Sequence, residues 1–407
     1  MKVALVSIVY GVHNEERINE TLKDKFQILD EHFELEEIAV DEIPFTDFKE
    51  YDLTINFIKS GGSESIFAEN VEYLPQPAYL LATELHNSLP ASLEILSFLN
   101  AEGLNGKILH GEMEELGAEM EELAAYKKVR DNIAEARLGV IGRPSDWLIG
   151  SKVDYEHAAH HWGTEFVDLE LDKVYQALEG VDSAKAKRIA ADFLENAAEI
   201  VESNEADLVE ASKIYLALKE VIADNDLDLL TIRCFDIVME LNTTGCLALA
   251  LLNNEGLVAG CEGDVPAAFT MFLAQQLTGQ MSFMANPAAI DKKKDEILFA
   301  HCTVATDISR DYIIRSHFET GIGVGIQGIL EKGPVTVFKI GGAGLEQYFV
   351  AEGEIIENLD SPNACRTQLK ISLPQSSDYF LNDAIGNHHL IIPGYHAAEI
   401  NEFLGME

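Results

Sequence analysis

LDLLTIRCFDIVMELNTTGCLALALLNNEGLVAGCEGDVPAAFTMFLAQQL, residues 227–277, carries the pattern on which the fold turns. LDLLTIRC (227–234) is a short apolar run rich in Leu and Ile, as expected of a strand buried on both faces. TTGCLALALLNN (243–254) is helical, with Asn and then Gly as its stop signal. LVAGC (257–261) is a second strand, and VPAAFTMFLAQQL (265–277) a second helix with Pro266 in its first turn, where proline is tolerated. The order is strand, Glu240, helix, strand, Asp264, helix. In a parallel sheet both carboxylates would lie beyond the carboxyl ends of their strands, where open α/β sheets place ligands. Neighbouring strands sit about 4.8 Å apart, so the two acids would repel unless a proton or a metal ion lay between them. Asp264 is equally the side chain expected of a helix N-cap, and Glu240 could be a surface acid.

Working outward, the same rhythm fills the first two-thirds of the chain. KVALVSIV (2–9), FELEEIAV (33–40), DLTINFIKS (52–60), AYLLAT (78–83) and GKILHG (106–111) read as strands of a first parallel sheet, with a helix at about 90–101. GEMEELGAEMEELAAYKKVRDNIAEARL (111–138) reads as a surface helix. The rhythm restarts at RLGVIGRPSDWLIGS (137–151), and an acidic, alanine-rich helical region covers roughly 184–223. ANPAAIDKKKDE (285–296) has the composition of a linker. Beyond it ILFAHCTVA, GIGVGIQG, GPVTVFKIGG, QYFVAEGEII, CRTQLKISL and HHLIIPG are short strands punctuated by turn residues, the signature of an antiparallel barrel or sandwich. The expected fold class is therefore α/β, with two Rossmann-like doubly wound parallel-sheet domains (1–136 and 137–290) and a C-terminal antiparallel β-barrel domain (291–407).

With 70 acidic against 29 basic residues, the net charge of −41 excludes nucleic acid and anionic membrane as partners. It fits either a salt-rich cytoplasm or a solubilising acidic surface. No apolar run reaches the length of a membrane span, and the apolar start reads as a buried strand, not a leader peptide. Five cysteines, an odd number without a Cys-x-x-Cys pair, fit a reducing cytoplasm and small core residues.

IGNHHLIIPG (385–394) places two histidines at the head of an apolar strand. Adjacent strand side chains face opposite ways, so one of His388 and His389 can enter a given site. One His with a Glu and an Asp makes a hard, oxygen-rich donor set suited to Mn²⁺ or a similar divalent ion. The Glu240…Asp264 pair, the CEGD segment and GNHHLIIPG together resemble the L-fucose isomerase and L-arabinose isomerase superfamily, over most of the chain length. That resemblance implies a metal-dependent aldose–ketose isomerase acting on a sugar through a cis-enediol. It implies Mn²⁺ held by Glu240, Asp264 and His388, with the two acids also the catalytic pair and His389 the rival ligand. It further implies a homo-oligomer, a trimer or hexamer. A catalytically silent sugar-binding or regulatory member, or an epimerase or aldolase using the same ligands, remains the alternative. His301 in LFAHCTV lies farther along than the third histidine of the arabinose-type pattern and is taken as a substrate contact or a core residue. Trp147 could wall a sugar face or simply pack on its loop. SGGSES (60–65) reads as a turn with some capacity for a hydroxyl-rich or phosphate group, and HAAHHW (157–162) lacks an acidic partner at fixed spacing.

Overall fold

The computed structural model describes residues 1–11 and 15–405. The chain divides into two compact units, residues 1–130 with 402–407 and residues 131–401.

The first unit is a five-stranded parallel sheet of β1 (Lys2–Ile8), β2 (Glu34–Ala39), β3 (Leu53–Ile58), β4 (Ala78–Leu81) and β5 (Gly106–Leu109), in the order β2-β1-β3-β4-β5. The helices joining them are α1 (Glu15–His32), α2 (Glu64–Asn70), α3 (Ser88–Glu102) and α4 (Met113–Glu135), the last running on into the second unit. Strand β3 reads LTINFI because every residue in it is buried, as a central parallel strand requires. Strand β2 lies at the edge and carries Glu34, Glu36 and Glu37, charges that discourage pairing with another chain.

The second unit opens with a four-stranded parallel sheet. Its strands are β6 (Arg137–Ile141) and β7 (Glu165–Leu169), then, after the two-residue β8 (Glu199–Ile200), β9 (Leu229–Ile232) and β10 (Val258–Gly260). The order is β10-β9-β6-β7, so the chain leaves β6 in one direction and β9 in the other. A crevice opens at that point outside the carboxyl ends of the strands. Helices α5 (Tyr155–Trp162), α6 (Asp172–Gly180), α7 (Ser183–Glu195), α8 (Glu205–Asp224), α9 (Cys234–Leu241), α10 (Cys246–Asn254) and α11 (Val265–Thr278) connect and cover the sheet. The helical region expected over 184–223 is two helices, because Asn204 stops the chain and caps α8 with a reciprocal Asn204–Asp207 box.

The rest is β. A closed barrel runs β11 (Phe283–Asp291), β12 (Glu296–His301), β17 (Thr367–Ser372), β16 (Gln347–Asn358), β15 (Gly333–Gly341), β18 (His389–Pro393) and back to β11. Strands β13 (Asp311–Arg315) and β14 (Gly325–Ile329) leave it to pair with β8 in a small separate sheet. Helix α12 (Ala397–Leu404) ends the chain. Phe283, Ile297, Phe299, Val335, Val337, Ile371 and Ile391 belong to one buried cluster at the barrel. Residues 285–296 are not a linker. They are most of β11 and the turn of its hairpin with β12, where the lysine run occupies the exposed turn and Phe283 and Met284 anchor the strand in the core.

The two parallel sheets and the closed antiparallel barrel make the fold class mixed α/β with a C-terminal barrel, as the strand spacing leads one to expect. No helix among the described residues is long and apolar enough to cross a membrane.

Candidate metal and active site

Strands β9 and β10 are indeed neighbours, with Gly260 opposite Thr231, so the segments after them emerge side by side. The two segments then diverge. After Ile232 the chain turns directly into α9 at Cys234, and Glu240 sits in that helix's last turn. Six residues of helix carry it about 9 Å from the helix start. Its side chain is exposed and lies beside Tyr175, whose hydroxyl is held above its usual pKa by burial and by the Glu240 charge. The structure does not bring Glu240 to Asp264 or His388.

After β10 the chain makes a tight left-handed turn instead. Glu262 has φ +62° and Gly263 +68°. The Gly263 N–H donates to the Ile232 carbonyl at 2.9 Å, locking this turn to the end of β9. A Cβ on Gly263 would sit 2.6 Å from the Arg143 carbonyl oxygen, so only glycine fits. Asp264 then caps α11, its Oδ1 accepting the Ala267 N–H at 2.9 Å. The turn leaves the Glu262 carboxylate pointing into the crevice, largely buried with a 12% exposed side chain.

The barrel supplies two histidines from either side of β11. His301 ends β12, and His388 immediately precedes β18. Ala300 pairs with Asn286, and His389 with Ala285, which places the two strand ends at one level. The His301 and His388 rings lie 5.3 Å apart at 74°. Their Nε2 atoms are 3.7 and 3.5 Å from the same oxygen of Glu262, Oε1. Among the described residues, Glu262, His301 and His388 are the one group of at least three acidic, His or Cys side chains whose ligand atoms all lie within 4.8 Å of one another.

Asp264 stands behind this group. His388 is fully buried and donates from Nδ1 to Asp264 Oδ2 at 2.8 Å, which fixes the ring and leaves Nε2 free toward Glu262 without a hydrogen-bond partner. Burial alone would push the His388 pKa down, but Asp264 and Glu262 outweigh it and hold the ring at about 9. The same two histidines pull the Glu262 carboxyl far below its usual range against its own burial. His301 is shifted the other way, down, because its burial outweighs Glu262. Lys339, fully buried in β15, approaches Asp264 Oδ1 at 3.8 Å and makes no hydrogen bond through Nζ. Burial lowers its pKa, and Asp264 opposes the shift.

His389 faces the opposite side of β18, as strand alternation requires. Its Nε2 lies 2.9 Å from the Tyr379 hydroxyl, its Nδ1 lies 3.2 Å from the Asn387 carbonyl, and Phe349 and Phe380 pack on it. Trp147, half exposed, donates from Nε1 to Glu262 Oε2 at 2.7 Å and meets Phe235 edge-on. Its loop is pinned by Arg233, which donates to the Pro144 carbonyl and to Asp146, both at 2.9 Å. A narrow cleft of about 50 Å³ opens onto Glu262 and His301 between Phe235, Val238, Asn286, His317 and Glu319.

The orphaned Nε2 of His388 and the clustered donors fit a divalent cation bound by one carboxylate and two imidazoles. A carboxylate behind a ligating histidine is the usual outer support of such sites. Sequence reading passed over Glu262, although the CEGD segment carries it two residues beyond β10, and took His301 as a substrate contact or a core residue; the signal for each was its place just past, or at, the end of a strand.

No family model matches the chain. Over 239 residues it is 26% identical to the sulfoquinovose isomerase of Clostridium sp. (strain MSTE9), a match covering 54% of this chain and 50% of that protein. It is 23% identical over 300 residues to the sulfoquinovose isomerase of Alkalicoccus urumqiensis, covering 70% and 67%. A shorter match, 25% over 143 residues, relates it to the sulfoquinovose isomerase of Priestia megaterium (strain ATCC 12872 / QMB1551), covering 34% and 32%. The chain thus spans about half the length of the Clostridium protein it matches.

Proposed function

We propose that the chain is a metal-dependent aldose–ketose isomerase of the fucose and arabinose isomerase type, with a sugar as its substrate. The observation that carries this reading is the pairing of His388 Nδ1 with Asp264 while its buried Nε2 faces Glu262. The names of the relatives support sugar isomerisation, and the resemblance in CEGD and GNHHLIIPG supports the superfamily.

Glu262, His301 and His388 would hold the ion. A divalent cation there supplies Lewis-acid polarisation of a carbonyl and charge stabilisation for an enediolate. Asp264 holds the proton of His388 on Nδ1, so that Nε2 is the nitrogen that would face the ion. Lys339 balances the Asp264 charge inside the protein, so the acid stays ionised without water. Trp147 keeps one oxygen of Glu262 engaged and leaves the other toward the histidines. The acid–base work between adjacent carbons falls to groups on the cleft wall. Glu319 lines the cleft and is exposed, and His317 is neutral at pH 7 because burial lowers its pKa to about 4. Glu240, the acid suggested by spacing, lies outside this cleft, and Asp264 lies behind His388.

The test is a panel of aldoses, free pentoses, hexoses and deoxyhexoses together with sulfoquinovose, incubated with Mn²⁺-loaded protein and read for ketose by NMR. Ketose from at least one sugar, abolished by chelation and restored by metal, is the expected result. Metal-loaded protein that binds a sugar and returns no ketose from any would overturn the reading in favour of a silent binding member.

A further inference from the structure

All five cysteines of the chain line the same cleft as Glu262 and His301. They reach it from five segments. Cys234 opens α9, Cys246 opens α10, Cys261 follows β10, Cys302 follows β12 and Cys365 precedes β17. Small core residues scattered for packing would be spread over both units, and none of these is. All five are free thiols. One pair bears directly on Glu262. The sulfurs of Cys234 and Cys261 are 3.0 Å apart, on the emerging ends of the neighbouring strands β9 and β10. That is only about 1 Å longer than a covalent S–S bond.

We propose that Cys234 and Cys261 form a modification site, a dithiol that peroxide entering the cleft converts reversibly to a disulfide, displacing Glu262 and shutting the metal site. The chemistry balances with hydrogen peroxide as the oxidant. One sulfur attacks the peroxide, an S–O bond forms, the O–O bond breaks and water leaves. The second sulfur attacks the resulting sulfenic acid, an S–S bond forms, the S–O bond breaks and a second water leaves. Two thiols and one peroxide give one disulfide and two waters, and a small-molecule dithiol reverses the change by exchange.

The position of the pair gives the bond its consequence. Cys261 directly precedes Glu262 in the chain, and the turn after it is pinned, since the Gly263 N–H donates to the Ile232 carbonyl at 2.9 Å. Cys234 directly follows Arg233, whose guanidinium is fixed to Pro144 and Asp146. Drawing the sulfurs together by about 1 Å therefore moves the Glu262 carboxylate relative to the histidines. A displacement of that size at a reacting centre costs on the order of 10²-fold in rate.

The experiment treats the full-length protein with equimolar hydrogen peroxide and reads three quantities. Thiols titrated in denaturant fall from five to three. Digestion with glutamyl endopeptidase, which cuts after Glu220, Glu240, Glu255 and Glu262, yields the peptides 221–240 and 256–262 joined by a reducible bond. Mn²⁺ affinity, read by calorimetry so that it does not depend on the sugar, falls at least tenfold and returns with dithiothreitol. Cys234→Ser, compared with its own untreated sample, keeps its affinity through the treatment, and Cys261→Ser serves if the first variant does not fold. A bond between other cysteines, sulfinic acids without a bond, or the 221–240/256–262 bond at unchanged Mn²⁺ affinity would each overturn the proposal. Loss of ketose formation with the metal affinity intact would overturn it as well.

Discussion

Asp264→Asn separates the two tasks that one buried carboxylate performs. Oδ1 caps α11 through the Ala267 N–H at 2.9 Å, and Oδ2 accepts the His388 Nδ1 proton at 2.8 Å. Asparagine caps a helix about as well as aspartate, so the first task survives. The second does not, because a neutral amide neither strengthens the bond to His388 nor raises the basicity of the ring. Loss of such an outer partner costs about 10–100-fold in metal affinity, roughly 1.4–2.7 kcal/mol. A second cost falls on the fold. Asp264 is the acid beside Lys339 Nζ at 3.8 Å, and both side chains are fully buried. Removing one member of a buried pair typically destabilises by about 3–5 kcal/mol, since the remaining charge is stranded. Replacing Lys339 by Met in the same chain removes the stranded charge. The double variant should therefore recover stability while leaving the metal affinity low. Calorimetric Mn²⁺ titration and denaturant unfolding of wild type, Asp264→Asn, Lys339→Met and the double variant measure both quantities. Wild-type metal affinity in Asp264→Asn, or a double variant no more stable than that single one, would refute the division of labour.

Gly263→Ala forces a Cβ into a left-handed turn 2.6 Å from the Arg143 carbonyl oxygen, and should cost on the order of 1–3 kcal/mol while weakening metal binding, both visible in the same titrations. Trp147→Phe removes the 2.7 Å bond to Glu262 Oε2 and keeps the ring against Phe235, so metal affinity should drop severalfold with little change in melting temperature. In the metal-free protein, burial holds His317 and His389 at about 4 and about 3. The folded state then binds fewer protons than the unfolded one, and stability rises as pH increases from 4 to 6.5. His388 acts in the opposite sense. Held at about 9 by Asp264 and Glu262 against its burial, it contributes stability that is complete below about 6.5 and gone once pH has risen through 9. Thermal melts across pH 4–10 should therefore decline on both sides of a maximum near neutrality, and Asp264→Asn should flatten the alkaline limb.

The strands of the first unit and the barrel were legible because their environments are uniform. A strand buried on both faces needs an unbroken apolar run, and LTINFI and KVALVSI supply it. The turn DKKKDE was obscured because a lysine-rich hairpin and a linker have the same composition. At the site, the positions after β9 and β10 were readable, and strand alternation said that only one of His388 and His389 could enter it, without saying which. The helix start after β9 was not. Whether six residues past a strand form a loop or a helix decides whether Glu240 enters the crevice or leaves it, and CFDIVMEL carries no Ser, Thr, Asp or Asn before it to mark a cap. The joining of His388 to Glu262 and His301 was hidden for another reason, since it depends on closure of the barrel between β11 and β18, a contact about a hundred residues apart in sequence.

The central claim is that Glu262, His301 and His388 hold the metal while Glu240 does not. Bound metal per chain, determined by plasma emission after dialysis against limiting Mn²⁺, tests it in four proteins: wild type, Glu262→Gln, His301→Ala and Glu240→Gln. The account predicts near-full occupancy in wild type and Glu240→Gln, and loss of most of the metal in Glu262→Gln and His301→Ala. Occupancy retained in Glu262→Gln and lost in Glu240→Gln would contradict it.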